Sequence, residues 1–386
     1  MIPTTNTATP DHDVAEYNKQ KLWLKLAGML FSGTYLTFMG LWGGLELDHI
    51  IQPFAGGNRW VEVLLMGVML QLGSLAVCFP VNFWTKFVVE HRFGLSTQSF
   101  KQFMLKWLKL ATLMLVFAPL LLTAVYSLLW FMPTWWWLAA ALMMIIINGG
   151  LGMLLPVVIA PLFYKVTPVA DTTLLDRFRR IAAGTDLKIT EVSRVDVSVE
   201  SVAPNACMAG MSNTKRVLLW DTLLASFPPE ELDAIFAHEL GHYKHGHLLK
   251  MLLVNVVVMV LGFLVGNEVL NAVAVPLGHA SISAPSSLAL FLLALSTLSF
   301  VAGPIQNFIF RRFEYEADWD ALDSTENVAA FHSALFRLVE MNKLEMSPPP
   351  WKVFLFDSHP STKDRLDKVR EWMESRGMDT DHITHL

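Results

Sequence analysis

The sequence predicts a mainly α-helical, polytopic membrane protein with about six spans and a cytoplasmic domain of mixed α and β structure. Apolar residues make up 53% of the 386 residues and charged residues only 16%, whereas an ordinary soluble domain is about 25% charged. Six apolar runs are each long enough to cross about 30 Å of hydrocarbon as helices. A polar segment between the fourth and fifth runs carries helix and strand patterns, which indicates a folded domain outside the bilayer.

The six predicted spans follow from hydropathy and length. They lie near Leu26–Leu45, Val61–Val81, Leu110–Phe131, Trp135–Pro156, Met251–Val269 and Ser287–Ile309. Only the segment 132–134 separates the third run from the fourth, which predicts a tight hairpin. The three tryptophans that follow, Trp135 to Trp137, are typical of an interfacial aromatic belt. The alternative is that one run is a buried helix or a re-entrant loop.

Charge predicts the orientation of these spans. The chain has 29 lysines and arginines, and every one except Arg59 falls in, or at the edge of, the segments that six spans would place on one side. Because loops rich in lysine and arginine stay cytoplasmic, both termini and both large polar segments are expected in the cytoplasm. In a bacterium the membrane would be the cell inner membrane. The net charge of −5, with no basic run, argues against a nucleic-acid partner.

The chain is expected to divide into five regions. They are a disordered tail at 1–18, a four-span membrane region at 19–158, a cytoplasmic segment at 159–250, the fifth and sixth spans at 251–309 and a second cytoplasmic segment at 310–386. The first apolar run begins near Leu22 and is too long for the core of a cleavable signal peptide, so we expect it to be retained as a span.

The first cytoplasmic segment is predicted to contain two helices and two or three strands. A helix is expected at Asp171–Gly184, strands at Val192–Val199 and Arg216–Asp221, a third strand at Cys207–Met211 with a turn at Ser212–Thr214, and a second helix starting around Pro228. Prolines are tolerated in the first turn of a helix, and the acidic residues Glu230 and Glu231 suit the positive end of the helix dipole.

The second of these helices carries a metal-binding pattern. His238 and His242 are four residues apart and therefore lie on one helix face, where both can reach one zinc ion. Glu239 points toward the same region and can take a proton from the metal's water, whose pKa zinc lowers toward about 7. The sequence therefore predicts a catalytic site with one zinc ion per chain. The alternative is a pair of solvated helix histidines.

A catalytic zinc ion needs a third protein ligand, and Glu314 is the best candidate. The helix with the metal motif is expected to continue into the fifth span, and the sixth span brings the chain back to the same side of the membrane. Glu314 follows the sixth span, so its height above the membrane boundary should be similar to that of His242. Asp318, one helical turn further on, is predicted to orient a histidine ring from behind the ligands. His245 and His247 are interpreted as an interfacial cluster or as support for the ligands, and Glu316 as a surface charge.

Several further motifs lie between residues 60 and 370. They are His91–Ser96, Ala160–Pro168, Asn205-Ala206, Lys215–Leu224, Tyr243-Lys244-His245 after the metal motif, Arg311–Asp318, and the segment from Ser358-His359-Pro360 to Arg365-Leu366. Together with the metal motif, they resemble the type I CAAX prenyl endopeptidase family, integral-membrane zinc gluzincins related to the HtpX-type proteases. Seven-span members have three spans before the first of these motifs, whereas this chain has two.

The resemblance implies a protease domain of the gluzincin type and adds roles to several residues. The family's third zinc ligand corresponds to Glu314. Its His-Pro motif implies that His359 is catalytic, stabilising the oxyanion of the tetrahedral intermediate, and that Arg365 binds the substrate. Asn205 and Ala206 match the family's edge strand along which the substrate lies, and adding a strand is a standard way to hold an extended peptide.

These observations predict an integral-membrane zinc metalloendopeptidase that hydrolyses prenylated CAAX-type substrates or membrane-associated and misfolded proteins. Its partners would be a peptide or protein substrate, prenylated or not, and the lipid bilayer. Two alternatives are left open. An intramembrane protease would carry its metal motif within an apolar span, but Lys244 and Lys250 flank this motif. A non-enzymatic membrane metal protein would need no Glu239 and would be expected to have a closed four-ligand site.

Overall fold

Six long helical spans dominate the computed structural model, which describes residues 10–185, 187, 192–210 and 216–379. The helices with the length and apolarity to cross a membrane run over His12–Ala55, Arg59–Arg92, Phe100–Phe131, Trp136–Phe163, His247–Val273 and Pro285–Thr325. This confirms the predicted six spans and the polytopic architecture. Each helix is longer than the apolar run that predicted it, because helical structure continues past the apolar residues at one or both ends.

The first four spans are built from seven helices. They are α1 Pro10–Phe38, α2 Gly44–Ala55, α3 Arg59–Phe83, α4 Val89–Arg92, α5 Phe100–Phe131, α6 Trp136–Leu154 and α7 Ala160–Phe163. π-Helical turns at Met39–Gly43, Trp84–Val88 and Leu155–Ile159 join three pairs of them without ending the helical path. Polar side chains begin two helices: Asn58 caps α3, and Ser99 forms a capping box at the start of α5.

The first helix corrects the predicted disordered tail at 1–18. α1 begins at Pro10, so residues 10–18 are helical, while residues 1–9 lie outside the described residues. Tyr17 accounts for the order of this segment: its ring packs edge-on against Phe93 with centroids 5.3 Å apart, and its hydroxyl donates to Glu90 at 3.2 Å. Sequence reasoning missed this because the hydrogen bond joins residues 73 positions apart, beyond the reach of local periodicity.

The second half of the chain contains the sheet and the remaining helices. They are β1 Val166–Pro168, α8 Thr172–Ile181, β2 Val192–Val195, β3 Ala206–Ala209, β4 Arg216–Trp220, α9 Asp221–Ser226, α10 Pro229–Lys244, α11 His247–Val273, α12 Leu288–Thr325, α13 Val328–Asn342, α14 Pro350–Phe356 and α15 Thr362–Ser375. The helices and strands predicted within the segment at 159–250 correspond to α8, β2, β3, β4 and α10. The turn predicted at Ser212–Thr214 lies outside the described residues. β1 was not predicted, since a three-residue strand is too short for an alternating pattern.

The four strands form one mixed sheet in the order β1-β2-β4-β3. β2 and β4 pair in parallel, β1 pairs with β2 antiparallel, and β3 pairs with β4 antiparallel. α8 and α10 pack together through Phe178 and Phe236, whose rings stack with centroids 4.1 Å apart. Among the described residues β3 is an edge strand, and the metal-binding helix α10 lies beside it.

The spans pack around fully buried side chains from α3, α6 and α12. Met66, Trp136 and Phe291 belong to this core, and the rings of Trp136 and Phe291 lie 5.8 Å apart in an edge-on arrangement. The indole N–H of Trp136 donates to the side chain of Asn267 on α11 at 2.7 Å. The polar end of Trp136 is therefore satisfied where its body is buried, as a tryptophan in an apolar core requires, and α6, α11 and α12 are held together.

The connection between α10 and the fifth span differs from the prediction. α10 does not continue into the span: it ends at Lys244, and Gly246, with a φ of 62°, redirects the chain into α11. A left-handed conformation of this kind favours glycine because glycine has no Cβ. The glycine was therefore the sequence signal for the break. Its effect is to free α10 to pack on α12 at its own angle.

α10 and α12 approach each other closely at Gly241. A Cβ atom at Gly241 would lie 2.9 Å from the Cα atom and 3.0 Å from the carbonyl oxygen of Ala317, both backbone atoms of α12. Real Cβ contacts are longer than this, so any side chain at Gly241 would push the helices apart. The small residues at this crossing therefore set the distance between α10 and α12.

We expect Gly241→Ala to lower the stability of the protein. Alanine normally stabilises a helix relative to glycine by about 0.5–1 kcal/mol, but overpacking against backbone costs about 1–3 kcal/mol, so the net effect should be destabilising. Thermal unfolding in detergent measures this. Gly262→Ala is the matched control, because a Cβ there meets nothing within 4 Å. Equal unfolding temperatures for both variants would contradict the role of the crossing.

Candidate metal centre and active site

Two histidines of α10 and one glutamate of α12 meet at the crossing of the two helices. The Nε2 atoms of His238 and His242 lie 3.2 Å apart. Glu314 places Oε2 3.6 Å from Nε2 of His238 and Oε1 3.4 Å from Nε2 of His242. The three side chains offer ligand atoms that all lie within 4.8 Å of one another, and they are the one such group of three or more among the described residues.

The spacing of these donor atoms fits a tetrahedral metal ion. In a zinc site with bonds of about 2.0–2.2 Å, the ligand atoms lie about 3.3–3.6 Å apart. The two nitrogens, 3.2 Å apart, and the distances of 3.6 and 3.4 Å from each nitrogen to one of the two oxygens of Glu314 are close to these values. Two imidazoles and one carboxylate are also the protein ligand set of several catalytic zinc sites. The residues present therefore fit the ion that the sequence predicts.

Asp318 supports His238 from behind the metal ligands. Oδ1 of Asp318 lies 2.8 Å from Nδ1 of His238, and the carboxylate is 2% exposed. A proton on Nδ1 is stabilised by this carboxylate, which leaves Nε2 free to face the metal. Asp318 therefore lies behind a histidine, as predicted. The effect of Asp318 on the metal centre stays a prediction.

Arg365 completes this chain of contacts. Its guanidinium donates to both oxygens of Asp318, at 2.8 and 2.5 Å, a paired geometry that favours arginine. Burial opposes the charge of Arg365, but the Asp318 carboxylate outweighs it and holds the pKa of Arg365 above its usual value. Arg365 also lines the cavity in front of the metal centre. Its predicted contact with substrate stays a prediction, since the guanidinium is engaged by Asp318.

His242 is also contacted from behind, by His247 and through it by Glu316. Nδ1 of His242 lies 2.9 Å from Nδ1 of His247, and Nε2 of His247 lies 3.0 Å from Glu316. The ring of His247 stacks on Phe313 with centroids 4.6 Å apart. Of the two interpretations given to His247, support for the ligands is the one that this geometry favours. Sequence reasoning took Glu316 for a surface charge, because no local pattern links it to a histidine 69 positions away.

Glu239 stands beside the metal ligands without belonging to them. Its Oε2 accepts a hydrogen bond of 2.9 Å from the backbone N–H of Met208 in β3. This bond directs the carboxylate toward the edge strand and into the cavity that Glu239 lines. A carboxylate held between an edge strand and a metal centre is placed to exchange protons with water and with a peptide lying on that strand.

His359 reaches the centre from the segment between α14 and α15. Its Nδ1 lies 2.8 Å from Oε2 of Glu314, and this carboxylate raises the pKa of His359. The side chain is 68% exposed and lines the open cavity. It is therefore available to a molecule bound there.

A cavity of about 1060 Å³ lies in front of the metal centre. It brings together most of the predicted site residues: Asn205, Ala206, His238, Glu239, Glu314, His359 and Arg365. Asn205 and Ala206 stand at the start of β3, where the backbone N–H of Ala206 donates to the side chain of Asn205 at 2.9 Å. Their contact with a substrate stays a prediction, and the cavity gives an extended peptide the room to reach them.

Two family models match this chain, one over its first four spans and one over the part that contains the candidate metal centre. Residues 168–373 match the model of peptidase family M48, and residues 11–165 match that of the CAAX prenyl protease N-terminal region, which is described as five membrane helices. The chain belongs to peptidase family M48. This M48 peptidase is a membrane metalloprotease, which confirms the resemblance drawn from its motifs. It has four candidate spans within residues 11–165, one fewer than that description.

Individual relatives agree with this assignment. The M48 peptidase is 26% identical over 345 residues to a CAAX prenyl protease 1 homologue of Oryza sativa subsp. japonica, covering 88% of this chain and 77% of the relative. It is 26% identical over 395 residues to the CAAX prenyl protease 1 homologue of Homo sapiens, covering 88% and 82%. The crystal structure of S. mikatae Ste24p matches with a TM-score of 0.83 at 23% identity over 93% of this chain and 89% of that one, which shows a shared fold.

We expect Arg365→Ala to destabilise the M48 peptidase strongly. The substitution leaves the buried Asp318 carboxylate without its cation, and removing one partner of a buried pair costs about 3–5 kcal/mol. Unfolding in detergent, followed by heat or denaturant, measures the loss. Lys368→Ala is the control: Lys368 pairs with Glu371 on the exposed face of α15, where a pair contributes at most about 1 kcal/mol. A similar loss of stability in both variants would show that the Arg365–Asp318 pair stabilises the protein no more than an exposed pair does.

Proposed function

We propose that the protein is a zinc metalloendopeptidase that cleaves prenylated CAAX-type or other membrane-associated protein substrates at the cytoplasmic surface of the membrane. One observation carries the proposal. His238, His242 and Glu314 place ligand atoms within 4.8 Å of one another, and Glu239, which is outside this group, lines the open cavity beside it. A catalytic site needs this open position, whereas a structural site is closed by four protein ligands.

The proposed mechanism assigns a task to each side chain. Zinc, when bound, supplies a Lewis acid that polarises the peptide carbonyl and lowers the pKa of water. Glu239, oriented by the Met208 N–H, takes a proton from the attacking water and returns it to the leaving amine. His359 donates to the oxyanion that forms on the substrate carbonyl. Asn205 and Ala206 hold the peptide backbone along β3.

The buried support holds the ligands in place. Asp318 and Arg365 fix His238, while His247 and Glu316 fix His242. Partners of this kind keep each ring in the tautomer that leaves Nε2 for the metal, and their loss commonly weakens metal binding by about 10- to 100-fold.

The substrate class rests on the relatives. Three relatives that align with 88% of this chain are named CAAX prenyl protease 1 homologues, so a prenylated peptide is the substrate that we propose first. Membrane-associated or misfolded proteins without a prenyl group are the second candidate. The cavity is compatible with both, since it extends from the metal centre to residues of α3 and α5 such as Asn82 and Trp107.

The orientation is part of the proposal. The lysines and arginines of the chain, Arg59 excepted, lie on the side that carries both termini and the metal centre. Such segregation supports a cytoplasmic position for that side, which is the inner face of the cell inner membrane if the protein is bacterial. The lipid bilayer is then the permanent partner, and a peptide or protein is the substrate. No feature of the charge distribution favours nucleic acid.

We expect Glu239→Gln to keep its zinc and lose its activity. The amide has nearly the same shape and is not a ligand, but it cannot take a proton, and a general base typically contributes about 10²–10⁴-fold to the rate. Cleavage of a fluorogenic peptide and zinc analysis of the same preparation test this. His238→Ala is the matched control, since it should lose both zinc and activity. Near-normal turnover in Glu239→Gln would refute the mechanism.

We expect both termini to be protected from a membrane-impermeant thiol reagent in intact cells. Single cysteines at Lys19 and Glu374, in a background without Cys78 and Cys207, should react only after the membrane is opened. A cysteine at Val275, between the fifth and sixth spans and 63% exposed, should react at once. Immediate reaction at Glu374 would place the metal centre on the outer side.

A further inference from the structure

One carboxylate in the part of the chain that matches peptidase family M48 accepts hydrogen bonds from three places in the membrane region. Glu200 lies between β2 and β3, and its side chain is 17% exposed. Oε1 accepts from Lys106 of α5 and, at 2.6 Å, from the hydroxyl of Tyr164, which follows α7. Oε2 accepts from the amide of Gln98, which precedes α5, at 3.1 Å. All three donors lie within residues 11–165, so the Glu200 carboxylate joins the two matched parts of the chain.

The backbone around Glu200 also contacts the loop between the second and third spans. Ser96 and Ser201 form an antiparallel bridge. The carbonyl oxygen of Glu200 accepts from the backbone N–H of Thr97 and from the hydroxyl of Ser96, both at 3.2 Å. We call these backbone contacts, together with those of the Glu200 carboxylate, the junction. The two parts of the chain are therefore held together at several points within a few residues.

Asp221 and its neighbour hold the chain on both sides of Glu200 from the end of β4. The carboxylate of Asp221, which is 7% exposed, accepts from the backbone N–H groups of Val197 at 2.8 Å and Ser198 at 3.0 Å. The hydroxyl of Thr222 donates to the carbonyl oxygen of Ala203 at 2.9 Å. The segment that carries the junction is therefore restrained before it enters β3.

The junction lies directly before the strand that is proposed to hold the substrate. Asn205 follows Glu200 by five positions, and both residues line the cavity in front of the candidate metal centre. Further along β3, the N–H of Met208 donates to Glu239. The strand is thus connected to the candidate metal centre through Glu239 and to the membrane spans through the junction. A substrate that contacts both the strand and the spans meets them at a distance that the junction sets.

We propose that Glu200 is a positioning residue that fixes the substrate strand β3 relative to the membrane spans. The proposal rests on the proposed peptidase function and adds how a substrate held in the membrane is brought to the metal centre. A short soluble peptide needs only β3, Glu239 and the metal centre, which are connected to one another without Glu200. A membrane-anchored substrate also needs the strand and the spans at a fixed distance, because a misplacement of about 1 Å can cost about 10²-fold in rate.

Glu200 is placed to act through the strand rather than by contact with the substrate. Three donors already occupy its two oxygens, and Lys106 supplies the opposite charge. A carboxylate offers about four acceptor positions, so little capacity is left for a peptide N–H. Loss of the side chain therefore acts first on the position of the strand.

The test compares two forms of one peptide, cleaved by the zinc-loaded full-length protein in nanodiscs of phosphatidylcholine. One form is soluble, and the other carries a farnesyl group on a cysteine, which holds it in the bilayer. We expect the wild type to have the higher kcat/KM for the farnesylated form. In Glu200→Ala the ratio of the two kcat/KM values should fall by about 10- to 100-fold, mainly through a lower kcat for the farnesylated form.

A disulfide distinguishes positioning from direct contact with the substrate. Residues opposite each other in an antiparallel pair have Cα atoms about 4.5–5.5 Å apart, which is within the range that a disulfide accepts. Ser96→Cys and Ser201→Cys are therefore introduced together into Glu200→Ala, in a background without Cys78 and Cys207. Oxidation should restore the ratio toward that of the same background with Glu200 present, and reduction should lower it again. Gel mobility measures the cross-linked fraction.

Asp233→Ala is the matched control. The Asp233 carboxylate is 19% exposed and pairs with Arg177 at 2.6 Å, so its burial is close to that of Glu200. The pair joins α8 to α10, which both lie within the M48 part of the chain. Asp233→Ala should lower the unfolding temperature about as much as Glu200→Ala does. Any change in cleavage should be the same for both peptide forms, so that the ratio stays at the wild-type value.

Lys106→Met gives an independent check, since it removes one donor of the Glu200 carboxylate. It should lower the ratio, and the double variant with Glu200→Ala should have a ratio no lower than that of Glu200→Ala alone. Substitutions that act on one contact are not additive. Additive effects would separate the two residues and contradict a shared role in the junction.

Several results would overturn the proposal while leaving the peptidase function intact. They are equal kcat/KM for the two forms in the wild type, an unchanged ratio in Glu200→Ala, and an equal loss of both forms in that variant. Failure of the cysteine pair to cross-link would contradict the bridge itself. A fall in the ratio that the cross-link does not reverse would assign Glu200 to direct contact with the substrate. No cleavage of either form by the zinc-loaded wild type would instead refute the proposed function.

Discussion

The close packing of α10 on α12 is the constraint on which the metal centre depends. Gly241 lies between His238 and His242 in sequence, and Ala317 lies between Glu314 and Asp318, so the point of closest approach is surrounded by the functional side chains. Any increase in the distance between the helices would separate the carboxylate of Glu314 from both histidines. The break at Gly246 makes this approach available, because it releases α10 from the direction of the fifth span.

Two buried carboxylates then make a cation beside them favourable at the same place. Glu314 and Asp318 are 6% and 2% exposed and lie one helical turn apart on α12, where two like charges without partners would oppose folding. Arg365 compensates Asp318 from α15, and a metal ion would compensate Glu314. Folding of this region is thus coupled to the docking of the C-terminal segment, and a bound ion would add its binding energy to the stability of the folded state.

Local features of the chain could be predicted from the sequence, whereas contacts between distant positions could not. His238 and His242 were predicted from helical spacing alone, and Glu314 from its depth after the sixth span, because helix geometry carries both signals. The six spans were predicted since hydropathy is local. By contrast, the Asp318–Arg365 pair joins positions 47 residues apart and the His247–Glu316 pair positions 69 apart. No periodicity encodes such pairs, so the support behind the ligands became visible only in three dimensions.

The predicted substrate contact of Arg365 is a further case in which the sequence did not show a contact between distant residues. The motif resemblance assigned it to substrate, which a residue lining the cavity can still contact, but motif matching reports no competition between partners. The structure shows that both oxygens of Asp318 already accept from its guanidinium. Arg365 is therefore placed to act on the candidate metal centre through Asp318 and His238, apart from any contact with substrate.

The segment after the sixth span completes the site because it is tied to the membrane helix that carries Glu314. The guanidinium of Arg311 in α12 donates to the carbonyl oxygens of Val353 and Asp357, at 3.0 and 2.6 Å. These bonds hold α14 against α12 and leave His359 only two residues further along the chain. The candidate metal ligands, Glu239 and His359 therefore come from segments on both sides of two candidate membrane spans. The arrangement of the site therefore depends on the packing of these two spans against each other.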